Sequence, residues 1–275
     1  MSQNRLFVAN KPEDIGCNFF LKQIKRKYSI KKAGFSGTLD PFASGCLIIA
    51  FGQYTKLFRF LKKAPKTYKA TLYLGARSES LDIEKLENIE EVEEVAFEKL
   101  EEIAKKLTTT LTYLPPKYSA KKVDGKRAYE LARKGEEFEL KKITTQVFYL
   151  HVKTYSHPFV EFEISVSEGG YIRSIGKMFA DELGVEGCLK SLHRVNEGSF
   201  FFDDEKALNP LEYLDLRENF YLGDKEDILL GRVLSVESFE CTENGEYFLV
   251  IDNLLSVIKI EENAVIYHIN RMELC

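Results

Sequence analysis

Residues 34–41, Gly-Phe-Ser-Gly-Thr-Leu-Asp-Pro, place one carboxylate, Asp40, on a glycine-punctuated turn between two apolar stretches. On residue type alone this is a polar turn, with glycine at two bends and Asp before Pro. Paired glycines also suggest a phosphate cradle, but the P-loop spacing that ends in Lys followed by Ser or Thr is absent. What the segment offers chemically is an acid on a constrained loop in the most basic part of the chain. Cations nearby are expected to keep that acid ionised and nucleophilic. Thiol and metal chemistry have no comparable support. The five cysteines, Cys17, Cys46, Cys188, Cys241 and Cys275, form no C-x-x-C pair, and the four histidines show no ligand spacing. Reduced, structural thiols are expected, with neither a disulfide framework nor a zinc site.

Several elements are needed to hold such a loop. Residues 6–9 read as a short strand stopped by Lys11-Pro12. Residues 19–28 read as a helix with Phe20, Leu21, Ile24 and Tyr28 near one face. Strands are expected at 46–51, 68–74, 147–152 and 160–166. A Glu/Lys-rich stretch, 84–106, is expected to be helical. Pro115-Pro116 opens a basic segment, 117–142, holding a short helix at 127–134 closed by Gly135. Residues 171–183 read as an amphipathic helix with Ile172, Ile175, Phe179 and Leu183 on one face, stopped by Gly184. Beyond 202 the chain turns acidic, and 227–274 alternates apolar runs with turn signals such as Asn244-Gly245, as a small β-rich domain would. The mixed element order favours α+β over a doubly wound sheet.

The net charge of -4 is strongly segregated. Residues 1–80 carry 15 Lys+Arg against 4 Asp+Glu, and residues 201–275 carry 6 against 17. A basic N-terminal third fits a polyanionic partner, although a solvated lysine-rich surface would give the same count. Residues 1–10 lack the basic-then-apolar pattern of a leader. The most apolar short run, 46–51, is far below the ~20 residues that span a bilayer. A cytoplasmic protein without a membrane partner is expected.

Residues 34–45, GFSGTLDPFASG, closely resemble the G-H-[ST]-G-[TA]-L-D-P-x-A-[ST]-G signature of the TruB family of pseudouridine synthases. Lys11-Pro12 resembles the K-P motif that precedes it, and Gly52, Thr55 and Lys56 the G-x-[AY]-T-K that follows. Lys66-Thr67-Tyr68 is similar to the K-x-Y strand. Pro115-Pro116-x-Tyr118-Ser119-Ala120 and residues 124–129 resemble the RNA-gripping loop. Residues 169–174, GGYIRS, resemble G-[ST]-Y-I-R-[ST], and Leu192-His193-Arg194 through Gly198-Ser199-Phe200 the L-R-R…G-x-F strand. Seven motifs in family order cover about residues 6–205.

The resemblance implies an α+β fold with a mixed, largely antiparallel central sheet, flanking helices and an RNA-gripping insertion at about 113–142. It implies a catalytic domain over 1–215 and a small PUA-like domain over 216–275. The activity implied is isomerisation of a flipped-out uridine to pseudouridine at position 55, in the T-stem-loop of tRNA, with no cofactor and no protein partner, by a monomer. Asp40 would be the nucleophile, through an adduct to the sugar or the base. Tyr68 would stack on the base and serve in proton transfer at C5, and Arg173 would pair with Asp40. Tyr171 and Leu192 would line the uracil pocket. Lys11, Lys56, Lys66, Lys121, Lys122 and Lys126 would grip RNA. A guide-RNA-dependent relative and a non-catalytic RNA-binding module are the competing readings. Three departures stand out: Phe35 in place of the usual His, offering a stacking plane at the flipping site; Gly170 in place of Ser/Thr; and Asp82 in a D-x-x-G position that lacks the glycine.

Overall fold

The computed structural model describes residues 4–275. Strand β1 (Arg5–Lys11) leads into helix α1 (Cys17–Lys27), then β2 (Ala33–Ser36) and β3 (Ser44–Phe51). A 3-10 helix, Gly52–Arg59, precedes β4 (Lys66–Leu74), β5 (Ala76–Ser78) and β6 (Leu86–Ile89). Helix α2 (Phe97–Leu107) and β7 (Thr110–Tyr113) follow. The basic insertion contributes a small hairpin, β8 (Lys122–Val123) and β9 (Lys126–Arg127), and α3 (Ala128–Arg133). The chain then returns through β10 (Ile143–Ser156), β11 (Phe159–Val166), α4 (Ile172–Glu182), β12 (Gly187–Glu197) and β13 (Phe200–Phe201).

The central sheet has nine strands on the path β1-β3-β12-β4-β11-β10-β7, with β2 beside β3 and β13 beside β12. All its pairings are antiparallel except β3 with β12. The fold is therefore α+β with a mixed, largely antiparallel sheet. One face is covered by α1, α2 and α4, whose Phe20, Ile24, Leu100, Ile103, Ile175 and Phe179 join Leu72, Phe162 and Ile164 in the main core. The apolar run 46–51 is explained by burial on both faces: Leu47 and Ile49 enter that core, while Cys46, Ile48 and Ala50 face the opposite side.

That opposite side is covered by the C-terminal sheet, β14 (Arg217–Glu218), β15 (Gly245–Ile251), β16 (Leu254–Glu261) and β17 (Ala264–Glu273), with α5 (Lys225–Leu230). Strand β16 is sandwiched. Leu255 and Val257 pack under the large sheet with Leu6, Val8 and Ile48, whereas Ile258 and Ile260 pack with Ile228, Leu234 and Phe239. The Asn4 side chain donates to Glu273 O at 2.8 Å and accepts from Gln53 N, stitching β1, the 3-10 helix and the C-terminal sheet together.

One sequence expectation fails locally. Residues 84–106 are not one helix: β6 pairs with β5, residues 90–96 form no regular element, and only Phe97–Leu107 is α-helical. Glu87, Glu90, Glu91 and Glu94 would stack like charges at helical spacing, which disfavours the helix there. The turn signal at Asn244-Gly245 stands at a bend that opens β15, where Gly245 already pairs with Ile260. The two-residue turns lie at Asp252-Asn253 and Glu262-Asn263, where Asp252, Glu262 and Asn263 take positive φ.

Candidate active site

The loop between β2 and β3 carries Asp40, and it is fastened from several sides. Gly37 has φ +69, and a Cβ there would lie 2.5 Å from a Glu197 carboxylate oxygen, so the position tolerates no side chain. Arg194 Nη2 donates to Gly37 O at 2.7 Å. Leu39 N–H donates to Cys17 Sγ, and the thiol donates back to Leu39 O, both at 3.2 Å. Lys11 Nζ donates to Pro41 O at 3.1 Å. Leu39, Phe42 and Ala43 are buried around the loop. Their burial leaves Asp40 as its reactive edge, with 31% of its side chain exposed.

Arg173, the second residue of α4, is the partner. Its Nη2 lies 2.9 Å from Asp40 Oδ2 and donates to Tyr118 O at 2.8 Å. Its Nη1 meets Asp82 Oδ2 at 3.0 Å and Ser80 O at 2.7 Å. A cation at a helix N-terminus opposes the helix dipole, and here two carboxylates offset that cost. The planar fork is thereby fixed by four acceptors. Asp82 is held in turn by Ser80 Oγ at 2.6 Å and Glu84 N at 3.0 Å. The missing glycine of the D-x-x-G position has not displaced it.

Asp40 and Arg173 stand on the wall shared by two clefts. The first, about 260 Å³, is lined by Tyr68, Tyr171, Leu192, Lys66, Arg194 and Glu168. The second, about 320 Å³, is lined by Phe35, Tyr118, Tyr129, Arg127, Arg133 and Asp82. The side chains expected to embrace a base thus meet in the first cleft, while Phe35 sits in the second. Tyr68 and Leu192 are buried, and Tyr171 is half-buried with its N–H given to Tyr113 Oη at 2.9 Å. A Cβ at Gly170 would meet Thr145 Cγ2 at 2.7 Å, which accounts for glycine at that position.

The field on Asp40 differs from the sequence expectation. Burial pushes its carboxyl up, and the charge of Arg173 pulls it back. Asp82 pushes it up again, and Lys11 lowers it. The local environment therefore does not hold the acid in a low range as the basic N-terminal third suggested, because burial outweighs the pull of Arg173 and a second carboxylate shares that arginine. Burial likewise lifts Tyr171 above the usual phenol range.

The basic residues divide. Lys56, Lys122 and Lys126 are exposed, Lys121 is half-buried, and none of the four lines either cleft. Lys11 must be corrected: it is fully buried and gives its three protons to Pro12 O, Ile15 O and Pro41 O, which leaves none for a phosphate. Burial lowers its pKa, as expected for a desolvated ammonium. Lys66 is buried and paired with Glu197 at 2.9 Å, and it lines the first cleft beside Tyr68. Sequence reasoning overlooked Asp82 as an Arg173 partner, and it overlooked Arg194 and Glu197. Position alone could have flagged Arg194, which stands in the L-R-R-like strand.

Comparison with known proteins classifies the chain. Residues 25–172 match the family model described as TruB family pseudouridylate synthase, N-terminal domain. The tRNA pseudouridine synthase B of Sulfurovum sp. (strain NBC37-1) is 53% identical, covering 98% of this chain and 97% of its own. That of Campylobacter concisus (strain 13826) is 50% identical over 99% of this chain and 100% of its own. Among solved structures, a chain from a Cbf5-Nop10-Gar1 complex is similar with a TM-score of 0.69, covering 98% of this chain and 84% of that one. At 18% identity it shows a shared fold. A family model spanning more than half of the sequence, and relatives near half-identical along its whole length, settle the classification: the chain belongs to the TruB family of pseudouridylate synthases.

Proposed function

We propose that this enzyme converts uridine to pseudouridine in tRNA, at the T-loop uridine of position 55, with Asp40 as nucleophile. The observation that carries the reading is the Asp40–Arg173 pair at 2.9 Å on the wall of a cleft faced by Tyr68, Tyr171 and Leu192. The relatives named tRNA pseudouridine synthase B supply the substrate class.

The site's chemistry fits an isomerisation that needs nothing added or removed. The uridine swings out of its stack into the first cleft, because the sugar–base bond is unreachable within a helix. Tyr68 offers the ring face, and Leu192 and Tyr171 exclude water. Asp40 attacks either C1′ of the ribose, releasing the base as an anion, or C6 of the base. Cleavage of N1–C1′ lets the base rotate, C5 bonds to C1′, the bond to Asp40 breaks and restores its carboxylate, the C5 proton leaves, and N1 gains a proton. Tyr68 lines the cleft where that C5 proton departs. Arg173 keeps the Asp40 carboxylate pointed at the cleft, a service of orientation worth more than its charge alone. The second cleft, with Arg127, Arg133, Tyr118, Tyr129 and Phe35, would take the flanking nucleotides. Its cations and rings suit phosphates and unstacked bases. Residues 1–215 would form the catalytic domain and 216–275 a PUA-like one.

The test is pseudouridine mapping, nucleotide by nucleotide, on an unmodified tRNA transcript treated with wild type and Asp40→Asn. Conversion confined to the T-loop uridine and absent from the variant is the expected result. Conversion at other positions would overturn the site assignment, and a requirement for a guide RNA would overturn stand-alone action. Full activity in the variant would overturn the nucleophile.

A further inference from the structure

Beneath the first cleft lies a second charged centre with no role in the chemistry described so far. Glu197 is fully buried, with Lys66 Nζ 2.9 Å from Oε2 and Arg194 Nη2 2.8 Å from Oε1. Arg194 is itself fully buried and donates from Nε to Cys46 O at 2.8 Å as well as from Nη2 to Gly37 O. Strand geometry should forbid this cluster. Residues 194 and 197 are three apart, so on a regular strand their side chains point to opposite faces. A bulge at Val195 reverses the parity: Arg194 pairs with Tyr68, Asn196 with Thr67 and Glu197 with Lys66. The extra residue brings Arg194, Glu197, Lys66 and Tyr68 onto one face, under the cleft.

A buried charge cluster is a poor device for stability alone, since apolar side chains of like volume usually serve as well or better. This one sits where position matters. Neither Glu197 oxygen accepts a well-aligned N–H, so charge attraction and contact with Gly37, not directed hydrogen bonds, hold the carboxylate. Lys66 has a long, flexible stem, and both it and Arg194 line the cleft that Asp40 faces. Besides Glu197, the carboxylates around that cleft are Asp40 and Glu168, the latter 3.9 Å from Lys66 Nζ. Removing the Glu197 charge frees two cations to seek those partners.

We propose that Glu197 is a positioning residue for the reaction: it locks Lys66 and Arg194 beneath the uridine cleft, and Arg194 transmits that constraint to the Asp40 loop through the Gly37 carbonyl. The inference rests on the function proposed above, because the cleft is taken to hold the target uridine. Glu197 itself stays one shell away from the base.

Single-turnover conversion of tRNA with enzyme in excess tests the idea, alongside equilibrium tRNA binding. For Glu197→Gln the expected result is a rate at least tenfold below wild type with tRNA affinity within twofold. Glu197→Asp, which keeps the charge, should recover most of the rate. A purely structural role would instead lower the melting temperature and leave the rate per folded molecule unchanged. A folded Glu197→Gln with wild-type rate, or a loss matched by weaker tRNA binding, overturns the proposal. If the Gln variant does not fold, Arg194→Lys decides in the same assay, because lysine cannot reach Cys46 O and Gly37 O together; an unchanged rate overturns it. A wild type that converts no uridine sinks the functional reading, whereas an active wild type with an equally active Glu197→Gln sinks this inference alone.

Discussion

Two buried arginines, Arg173 and Arg194, flank the same cleft and are paired in opposite senses. Arg173 serves two carboxylates, Asp40 and Asp82, so its centre carries an excess negative charge. Arg194 and Lys66 share the fully buried Glu197, so two cations meet one acid in the buried part of that centre, and Lys66 has a further, half-exposed neighbour in Glu168. The first is open at one point, the exposed edge of Asp40, and the second is closed. An acid that must attack needs access and a raised-energy carboxylate, and crowding two acids on one arginine supplies the latter. A loop that must not move needs a sealed anchor. The polar cluster that reacts and the one that holds are thus distinguished by stoichiometry and exposure, not by residue type.

The largest way to break the contrast is Arg173→Lys. The charge survives, but one ammonium cannot replace a fork that meets Asp40, Asp82, Ser80 O and Tyr118 O together. Loss of a preorganised donor of this kind costs roughly 10²–10³-fold in rate. Single-turnover kinetics at saturating enzyme should show that drop with little change in tRNA affinity. A decrease smaller than tenfold would mean that charge near Asp40 suffices.

Asp82→Asn sharpens the contrast through pH. Reaction needs ionised Asp40, whose carboxyl is raised by burial and then by Asp82, with Arg173 acting against both. The rate should therefore fall with acid at a higher pH than an ordinary aspartate would dictate. Without the Asp82 charge the Asp40 pKa drops, and the acid limb should move to lower pH. The plateau should fall by about tenfold or less, since Asn still accepts from Arg173 while the neutral contact is weaker by roughly 1 kcal/mol. A limb that stays put, or moves upward, would show that Asp82 does not act on Asp40 through its charge. The stability linkage has the opposite sign to the rate. A carboxyl with a raised folded-state pKa favours the fold below that pKa, and the benefit is lost as pH rises through it.

Much of this was legible beforehand, for identifiable reasons. The Asp40 loop, Tyr68 and Arg173 came forward through the resemblance of the ordered motifs, since on residue type alone they read as a polar turn, a packed tyrosine and a solvated arginine. Helix α4 and strands β3, β4 and β11 follow from periodicity, because each buries a regular stripe or run. The bulge at Val195 was not legible. One inserted residue changes the facing of Arg194 relative to Glu197, and nothing in Arg-Val-Asn-Glu announces it. The role of Lys11 was misread, and the buried partner of Lys66 was missed, for a related reason. A lysine is usually solvated, and only the three-dimensional fold shows which one points its ammonium at carbonyls or at a buried glutamate.

That misreading yields the smallest effect and a clean separation. Lys122, exposed on the β8–β9 hairpin of the basic insertion, is a candidate phosphate contact, whereas Lys11 has no proton to spare. Lys122→Ala should weaken tRNA binding by a few-fold and lower the slope of log K against log salt by about 0.7–0.9, the release of one counterion. Thermal stability should not change, because the side chain is exposed. Lys11→Met should do the reverse. It strips three part-buried carbonyls of their donor and should cost about 1–3 kcal/mol of stability, since groups near solvent recover part of the loss from water. Its salt slope should stay that of wild type. Measured slopes that fall equally in both variants would place the Lys11 ammonium on RNA after all, and the loop clasp at Pro41 would then have to open when tRNA binds.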